Sequence, residues 1–291
     1  MSIAQAIKKQ IENLRQEYDL LRSGKDALLQ IIFEAELPES VYNSNAIENS
    51  TLTISETEKI LLDMEVSRNV SVREIFEAKN LARVFEYIKT RINNKEIDNE
   101  LILLLHQMLI SNINEAFAGR FRKAGEYVRV GAHIAPEPEK VESLINKMVV
   151  EYSSNNIEYF VDKIARFHLE FETIHPFCDG NGRIGRVLIN YQLMQLGFPP
   201  VIIRDKEKFK YYKTFGEYRS SSKKIGSMSK ILSLALMESL HKRIAYLKGH
   251  TIMPLAKYSH QNNLLLTSLL NKAKRQTIPA FREKGVWKIG V

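Results

Sequence analysis

Cysteine is almost missing: Cys178 is the only one in 291 residues, so no disulfide can form within the chain. That usage suits a reducing compartment and points to a cytoplasmic protein. Long apolar runs are missing too. The longest uncharged apolar stretch, residues 101–114, covers 14 residues and contains His106, Gln107 and Asn112. It is too short and too polar to cross a bilayer, so no membrane association is expected. Residues 1–21 carry charges throughout and lack the apolar centre of a signal peptide. Internal repeats and low-complexity segments are absent. These absences leave a globular chain with 44 % hydrophobic residues, enough for one large domain with additions or for two domains.

Charge is present but uneven. Residues 201–291 hold 19 Lys and Arg against 5 Asp and Glu, whereas the remainder holds 23 against 29. A basic C-terminal region fits nucleic acid, an acidic partner or a merely solvated face.

Chemistry concentrates in twelve residues, His175-Pro176-Phe177-Cys178-Asp179-Gly180-Asn181-Gly182-Arg183-Ile184-Gly185-Arg186. His175 can take a proton near neutral pH. Asp179 is a hard oxygen ligand suited to Mg²⁺. Gly180 and Gly182 permit close backbone approach and positive φ. Cys178 reads as a small filler rather than a nucleophile. Ile184, Val187, Leu188, Tyr191 and Leu196 then recur at roughly helical spacing until Gly197 and Pro199-Pro200. A glycine turn opening a helix gathers free N–H groups at a place that favours an anion. Arg183 and Arg186 lie on neighbouring positions of the first turn and add two charged forks for phosphate. The pattern is a phosphate cradle with a base and a metal ligand at its lip, suited to phosphoryl or nucleotidyl transfer.

The stretch resembles the Fic signature, HPFxDGNGRxxR, at every fixed position. The resemblance implies a protein adenylyltransferase that moves AMP from ATP onto a Ser, Thr or Tyr hydroxyl of a target protein. Phosphotransfer of the related Doc kind, or AMP removal, would be the alternatives on the same core. The implied roles are these. His175 deprotonates the hydroxyl, and Asp179 holds Mg²⁺. Gly180, Asn181, Gly182, Arg183, Gly185 and Arg186 surround the phosphates. A tyrosine of the Tyr211-Tyr212 pair lines the adenine pocket, and Arg219 stands where the family often has Asn.

Ser44 and Glu48 are four apart and share one helix face, which by residues alone is an ordinary capped short helix. The run Ser44-Asn45-Ala46-Ile47-Glu48-Asn49 also resembles the family's inhibitory motif, [ST]-x-x-x-E-[GN]. The resemblance implies autoinhibition in which Glu48 pairs with Arg186. Ser44 and Asn49 belong to the same motif, on a helix near residues 43–50.

The expected fold is mainly α: a Fic-type helical bundle with a β-hairpin flap and a small winged-helix-like C-terminal module. Residues 1–40 are read as an N-terminal helical extension ending at Leu37-Pro38, 41–249 as the Fic domain and 250–291 as the module. Stripes Ile3, Ile7, Ile11, Leu14 and Leu28, Ile31, Ile32 mark the extension. Ser55 with Glu58, and Ser71 with Glu74, fit capping boxes. Asn93-Asn94 breaks a long helix, and residues 101–110 predict the most buried one, with His106 as a core histidine. Tyr127-Val128-Arg129-Val130 predicts a hairpin strand, and the resemblance makes Val130, Gly131, Ala132 and His133 flap residues that dock the target by strand pairing. Phe160, Ile164, Phe167, Phe171 and Ile174 stripe a helix that delivers His175, with His168 structural. The C-terminal module carries Lys272, Lys274, Arg275, Arg282, Lys284 and Lys288, so DNA binding joins the alternatives, with the core as a nucleotide sensor. No signature residue lies beyond 220, so the module is expected to be dispensable for the chemistry. Self-modification and a homodimer stay open.

Overall fold

The computed structural model describes residues 3–66, 69–91, 96–220 and 223–291; the break expected at Asn93-Asn94 lies outside them. The first stripe forms α1 (Gln5–Arg22), with Ile3 and Ile11 buried. The second becomes α2 (Asp26–Ile47), but Ile32 faces inward while Ile31 is 62 % exposed.

Pro38 does not end this region. It lies inside α2, which runs unbroken across the expected boundary at residue 40. An interior proline costs a helix about 3 kcal/mol, so something must offset it. The adjoining turns are anchored: Glu36 is ion-paired with Arg243 and Lys242, and Glu39 with Arg204, all buried. Ser44 and Glu48 therefore sit at the end of a 22-residue helix, not on a short independent one.

Next come α3 (Ile54–Glu58), α4 (Val72–Arg91) and α5 (Asn99–Ile110). The capping box at α3 is Thr53 with Glu56, two residues before the expected pair, because Ile54 is already helical. Helix α5 is buried on most sides but leaves Leu104 42 % exposed. The hairpin is shorter than expected: β1 (Arg129–Val130) pairs antiparallel with β2 (His133–Ile134). Helices α6 (Val141–Ser154), α7 (Phe160–Ile174), α8 (Asn181–Gln195), α9 (Lys208–Arg219) and α10 (Gly226–Leu247) follow.

Helices α7 and α8 lie between two cores. Phe167, Phe171, Val187, Leu188 and Tyr191 pack with α4, α5 and α6. Val161, Ile164, Leu169, Ile189 and Leu193 pack with α1, α9 and α10. Buried from both sides, α8 needs no polar face. It ends at Gln195, so Leu196, expected on the stripe, is 44 % exposed.

The C-terminal residues form β3 (Ile252–Pro254), α11 (Leu255–Gln261), α12 (Leu266–Lys274), β4 (Ala280–Glu283) and β5 (Val286–Gly290). The sheet order is β3-β5-β4, antiparallel, a winged-helix-like arrangement. This small unit is tied to α10 by buried charge. Arg282 pairs with Glu238, Lys242 with Glu283, and Tyr246 donates to Glu283. Deleting it would strand Glu238 and Lys242 of the core with half their partners, so the module contributes to the stability of the core. A chain ending at Gly249 should lose about 3 kcal/mol or more, seen as a Tm roughly 6–12 °C lower by thermal unfolding. An unchanged Tm would make the module a free appendage.

Candidate active site

The twelve-residue stretch is the turn from α7 into α8. Helix α7 stops because His175 takes a left-handed conformation, φ 51°, with its N–H donating to Phe171 O at 2.8 Å. A non-glycine residue there costs on the order of 1–3 kcal/mol and persists only if its surroundings hold it. Arg122 does so: Nε donates to His175 O at 2.9 Å and its backbone N–H to Pro176 O at 2.9 Å. Arg122 Nη2 also donates to Pro136 O, which binds the segment after β2 to the same turn. Sequence reading missed Arg122, whose neighbours in the chain give no motif.

The turn is fixed from within. Phe177 N–H donates to Asn181 Oδ1 at 2.9 Å and Asn181 Nδ2 to Phe177 O at 2.8 Å. That buried amide is turned to the loop by both bonds, so Asn181 acts here as a brace of the turn. His106 stacks on Phe177 at 3.6 Å; its Nε2 donates to Asp179 O at 3.0 Å and its Nδ1 accepts from Gly119 N–H at 3.1 Å. It is the buried core histidine expected. Gly180 caps α8 at φ 81°. The first-turn N–H groups of α8 then face one opening, a positive helix end.

Gly185 does not face that opening. A Cβ there would lie 2.7 Å from Glu172 Oε1 and 2.8 Å from His168 Cε1, so this glycine lets α8 press on α7. Gly182 does face it, and a Cβ there would meet Glu48 Oε1 at 2.1 Å.

Both arginines are held by carboxylates. Arg183 is 3.1 Å from Glu77 Oε1 and 3.1 Å from Asp179 Oδ1, and Arg73 reaches Asp179 Oδ2 at 2.5 Å. Arg186 is buried against α2: Nε donates to Ser44 Oγ at 2.9 Å, and Nη2 to Ser44 O at 2.8 Å and to Glu48 Oε1 at 2.8 Å. Asn49 follows with φ 68°, just past the helix end. The i, i+4 spacing of Ser44 and Glu48 could suggest a shared partner, whereas Arg73 and Glu77 carried no signal.

Tyr211 differs from expectation. It is 1 % exposed, its Oη bonding His168 Nε2 at 2.8 Å, so it has no face for adenine. Tyr212 is 42 % exposed and donates to Ile47 O at 2.7 Å, leaving it the accessible member of the pair. Arg219 donates to Glu172 O. In the hairpin, Gly131 turns at φ 60° beside Ala132, and His133 Nε2 donates to Thr173 O at 2.9 Å. Val130 and Ile134 are exposed.

Burial sets the protonation states. It pulls His175 down to about 4, with Arg219 and Arg122 pushing the same way, so the imidazole is neutral at pH 7. Its Nδ1 is 3.8 Å from Glu172 Oε2. Burial, with Glu48 adding, raises Glu172 to about 8, so this carboxyl is largely protonated at pH 7. Burial would also raise Asp179, but Arg183 and Arg73 outweigh it and hold the carboxyl below its ordinary value. Burial raises the Cys178 thiol, which keeps it protonated and unreactive.

These shifts make stability pH-dependent with a sign that can be worked out. His175 and His106 fall to about 4 and His168 to about 3 from 6.5, all three through burial. Below pH 6.5 the unfolded chain binds protons the folded one refuses, so stability is lost as pH falls. Glu172 acts oppositely: raised from 4.5 to about 8, its contribution is lost as pH rises toward 8. Between 4.5 and 6.5 three histidines oppose one carboxyl, and the histidines win. Tm should therefore peak near pH 6.5, fall steeply toward pH 4.5 and decline gently toward pH 8. A profile flat from pH 5 to 8 would contradict these assignments.

A glycine-capped helix start, flanked by two arginines and a neutral histidine beneath a hairpin, sits at the centre of a mainly helical domain. Residues 96–193 match the Fic/DOC family model. The chain is 34 % identical over 211 residues to Protein adenylyltransferase Fic of Aedes aegypti, covering 70 % of this chain and 42 % of that protein. It is 30 % identical over 249 residues to the protein of the same name from Nematostella vectensis, covering 84 % and 56 %. It thus spans about half the length of these curated relatives. Among solved structures, a Fic domain containing signaling protein from Bacteroides thetaiotaomicron aligns with TM-score 0.74 at 24 % identity, covering 83 % of this chain and 98 % of that one. Fic-1 (134–508) from C. elegans aligns with TM-score 0.69 at 24 % identity, covering 81 % and 71 %. The two structures share the fold. The chain belongs to the Fic/DOC family.

Proposed function

We propose that the chain is a protein adenylyltransferase restrained by its own α2. The observation that carries this reading is a neutral His175 at the lip of the α8 anion cradle, in a chain similar to proteins named adenylyltransferase. ATP is the substrate, with its phosphates at the α8 start. His175 removes the proton of a target Ser, Thr or Tyr hydroxyl. The oxygen bonds the α-phosphorus, the bond to the β-phosphate oxygen breaks, and pyrophosphate leaves. First-turn N–H groups steady the negative charge that builds on the phosphate oxygens. Arg183 and Arg186 serve the outer phosphates once released from their carboxylates.

Among the described residues no group of three or more His, Cys, Asp or Glu side chains is placed to hold a metal ion. A lone carboxylate still fits Mg²⁺, which takes one or two protein oxygens and completes its shell with phosphate and water. Asp179 would hold it, and the bound ion would neutralise triphosphate charge.

The target segment docks along the exposed edge of Val130, Gly131, Ala132 and His133 by backbone pairing. No helix among the described residues is long and apolar enough to cross a membrane.

The deciding measurement uses two labels. With ATP labelled at the α-phosphorus, target or self-labelling should appear; with label at the γ-phosphorus it should not. The reverse result would replace adenylyl transfer by phosphoryl transfer.

A further inference from the structure

A second cavity, of about 620 Å³, lies away from the α7–α8 turn, between α2, the segment 202–210, α10 and the C-terminal module. Each of its acids is ion-paired. Glu39 pairs with Arg204, Glu238 with Arg204 and Arg282, Glu207 with Arg282 and Asp205 with Lys208. Lys284 is taken by Glu58. Three lining cations are left over. Lys206, Lys210 and Lys274 are exposed and have no acidic partner among the described residues. Lys206 and Lys210 belong to the segment 202–210 and Lys274 to α12, and all three line the same cavity. The wall behind them is apolar, formed by Ile231, Leu234 and Ala235 with Trp287.

We infer that this cavity binds a nucleoside phosphate as a second ligand, distinct from the nucleotide at α8. The lining holds six cations against four carboxylates, and that surplus calls for an anion of more than one charge. A phosphate alone would leave the apolar wall wet, whereas a base covers it. The volume falls within the range of small-molecule sites, which combine apolar walls with a few placed charges. A basic strip on a flat helix face would suit nucleic acid better; here the cations ring a concavity.

The cavity has a mechanical link to the active site. Glu39, Tyr42 and Asn43 of α2 line it, and Asn43 Oδ1 accepts from Asp205 N–H at 3.0 Å. The next residue of the same helix, Ser44, and Glu48 about one turn beyond it hold Arg186. A ligand here biases the α2 pose, and so the restraint. That consequence rests on the proposed function, whereas the binding does not.

Trp287 is the sole tryptophan of the chain, so its emission reports on this cavity alone. Titration of the full-length protein with GMP should change that emission saturably, with matching heat by calorimetry. Inorganic phosphate should bind at least about tenfold more weakly. The Lys206→Glu, Lys210→Glu, Lys274→Glu variant alters exposed residues only; it should keep its Tm and basal self-labelling and bind GMP about tenfold or more weakly. No saturation by either method up to about 10 mM GMP would overturn the site. So would equal affinity in the triple variant, or phosphate binding as tightly as GMP. If binding holds but α-label transfer is indifferent to GMP, the second site stands and the link through α2 falls. If no transfer occurs under any condition, the proposed function falls and the site stands on the titration.

Discussion

His175→Ala should reduce adenylyl transfer by about 10²–10⁴-fold while leaving ATP binding unchanged. The side chain acts on the incoming hydroxyl, not on the nucleotide, so the loss belongs in the transfer rate and not in the nucleotide Kd. A base must be unprotonated at working pH, and burial brings His175 to about 4, which satisfies this with margin. The neighbouring Glu172, raised to about 8, is largely uncharged at pH 7 and so does not pull the imidazole toward its cation. Wild-type transfer should hold its rate from pH 7 down to about 5 and fall only nearer the His175 value. The comparison is best made in a Glu48→Gly background, where the starting rate is measurable. A Glu48→Gly, His175→Ala protein that labels its target normally would remove His175 from the mechanism.

Glu48→Gly should raise transfer. Arg186 now spends Nη2 on Glu48 Oε1 and Ser44 O and Nε on Ser44 Oγ, so its fork has no free edge for a phosphate. Burial opposes the arginine's charge, yet Glu48 and Tyr211 together outweigh it and drive its pKa upward, which marks a strongly held cation. The carboxylate also fills the space over Gly182 that an outer phosphate would need. Removing it frees both the cation and the volume. A displacement equilibrium of this kind is worth about 1–3 kcal/mol, or about 5–150-fold in rate. The gain should vanish in Glu48→Gly, Arg186→Ala, because the two changes act through one contact. Equal α-label incorporation by wild type and Glu48→Gly would reduce Glu48 to an ordinary helix residue.

What the sequence disclosed and what it hid divide along physical lines. The α7–α8 turn was legible because its chemistry is local: histidine, glycines and arginines within twelve residues. The bundle was legible in α7 because five apolar residues recur at helical spacing, although they divide between two cores: Phe160 and Ile164 toward one, Phe167, Phe171 and Ile174 toward the other. Helix α8 was harder, since a helix buried on both sides has no polar face to set its limits. Pro38 misled because backbone propensity is weak against anchored charge, and the anchors Arg204, Lys242 and Arg243 lie more than 160 positions away. Long-range partners explain the other misses as well. The Tyr211-Tyr212 pair was left undivided because nothing in the chain near Tyr211 names His168, and Gly185 was read as a phosphate contact because motif position does not reveal which neighbour a missing side chain accommodates. Arg73 and Arg122 act from outside the motif on atoms within it.

The bare Cα of Gly182 has a consequence for how the restraint and the cradle are related. The carboxylate oxygen of Glu48 sits 2.1 Å from the point where a methyl group would begin. Alanine at 182 and Glu48 in its present pose are mutually exclusive. On the proposed reading the same volume would hold a carboxylate at rest and a phosphate at work, so a side chain that filled it would evict the carboxylate before any nucleotide arrived.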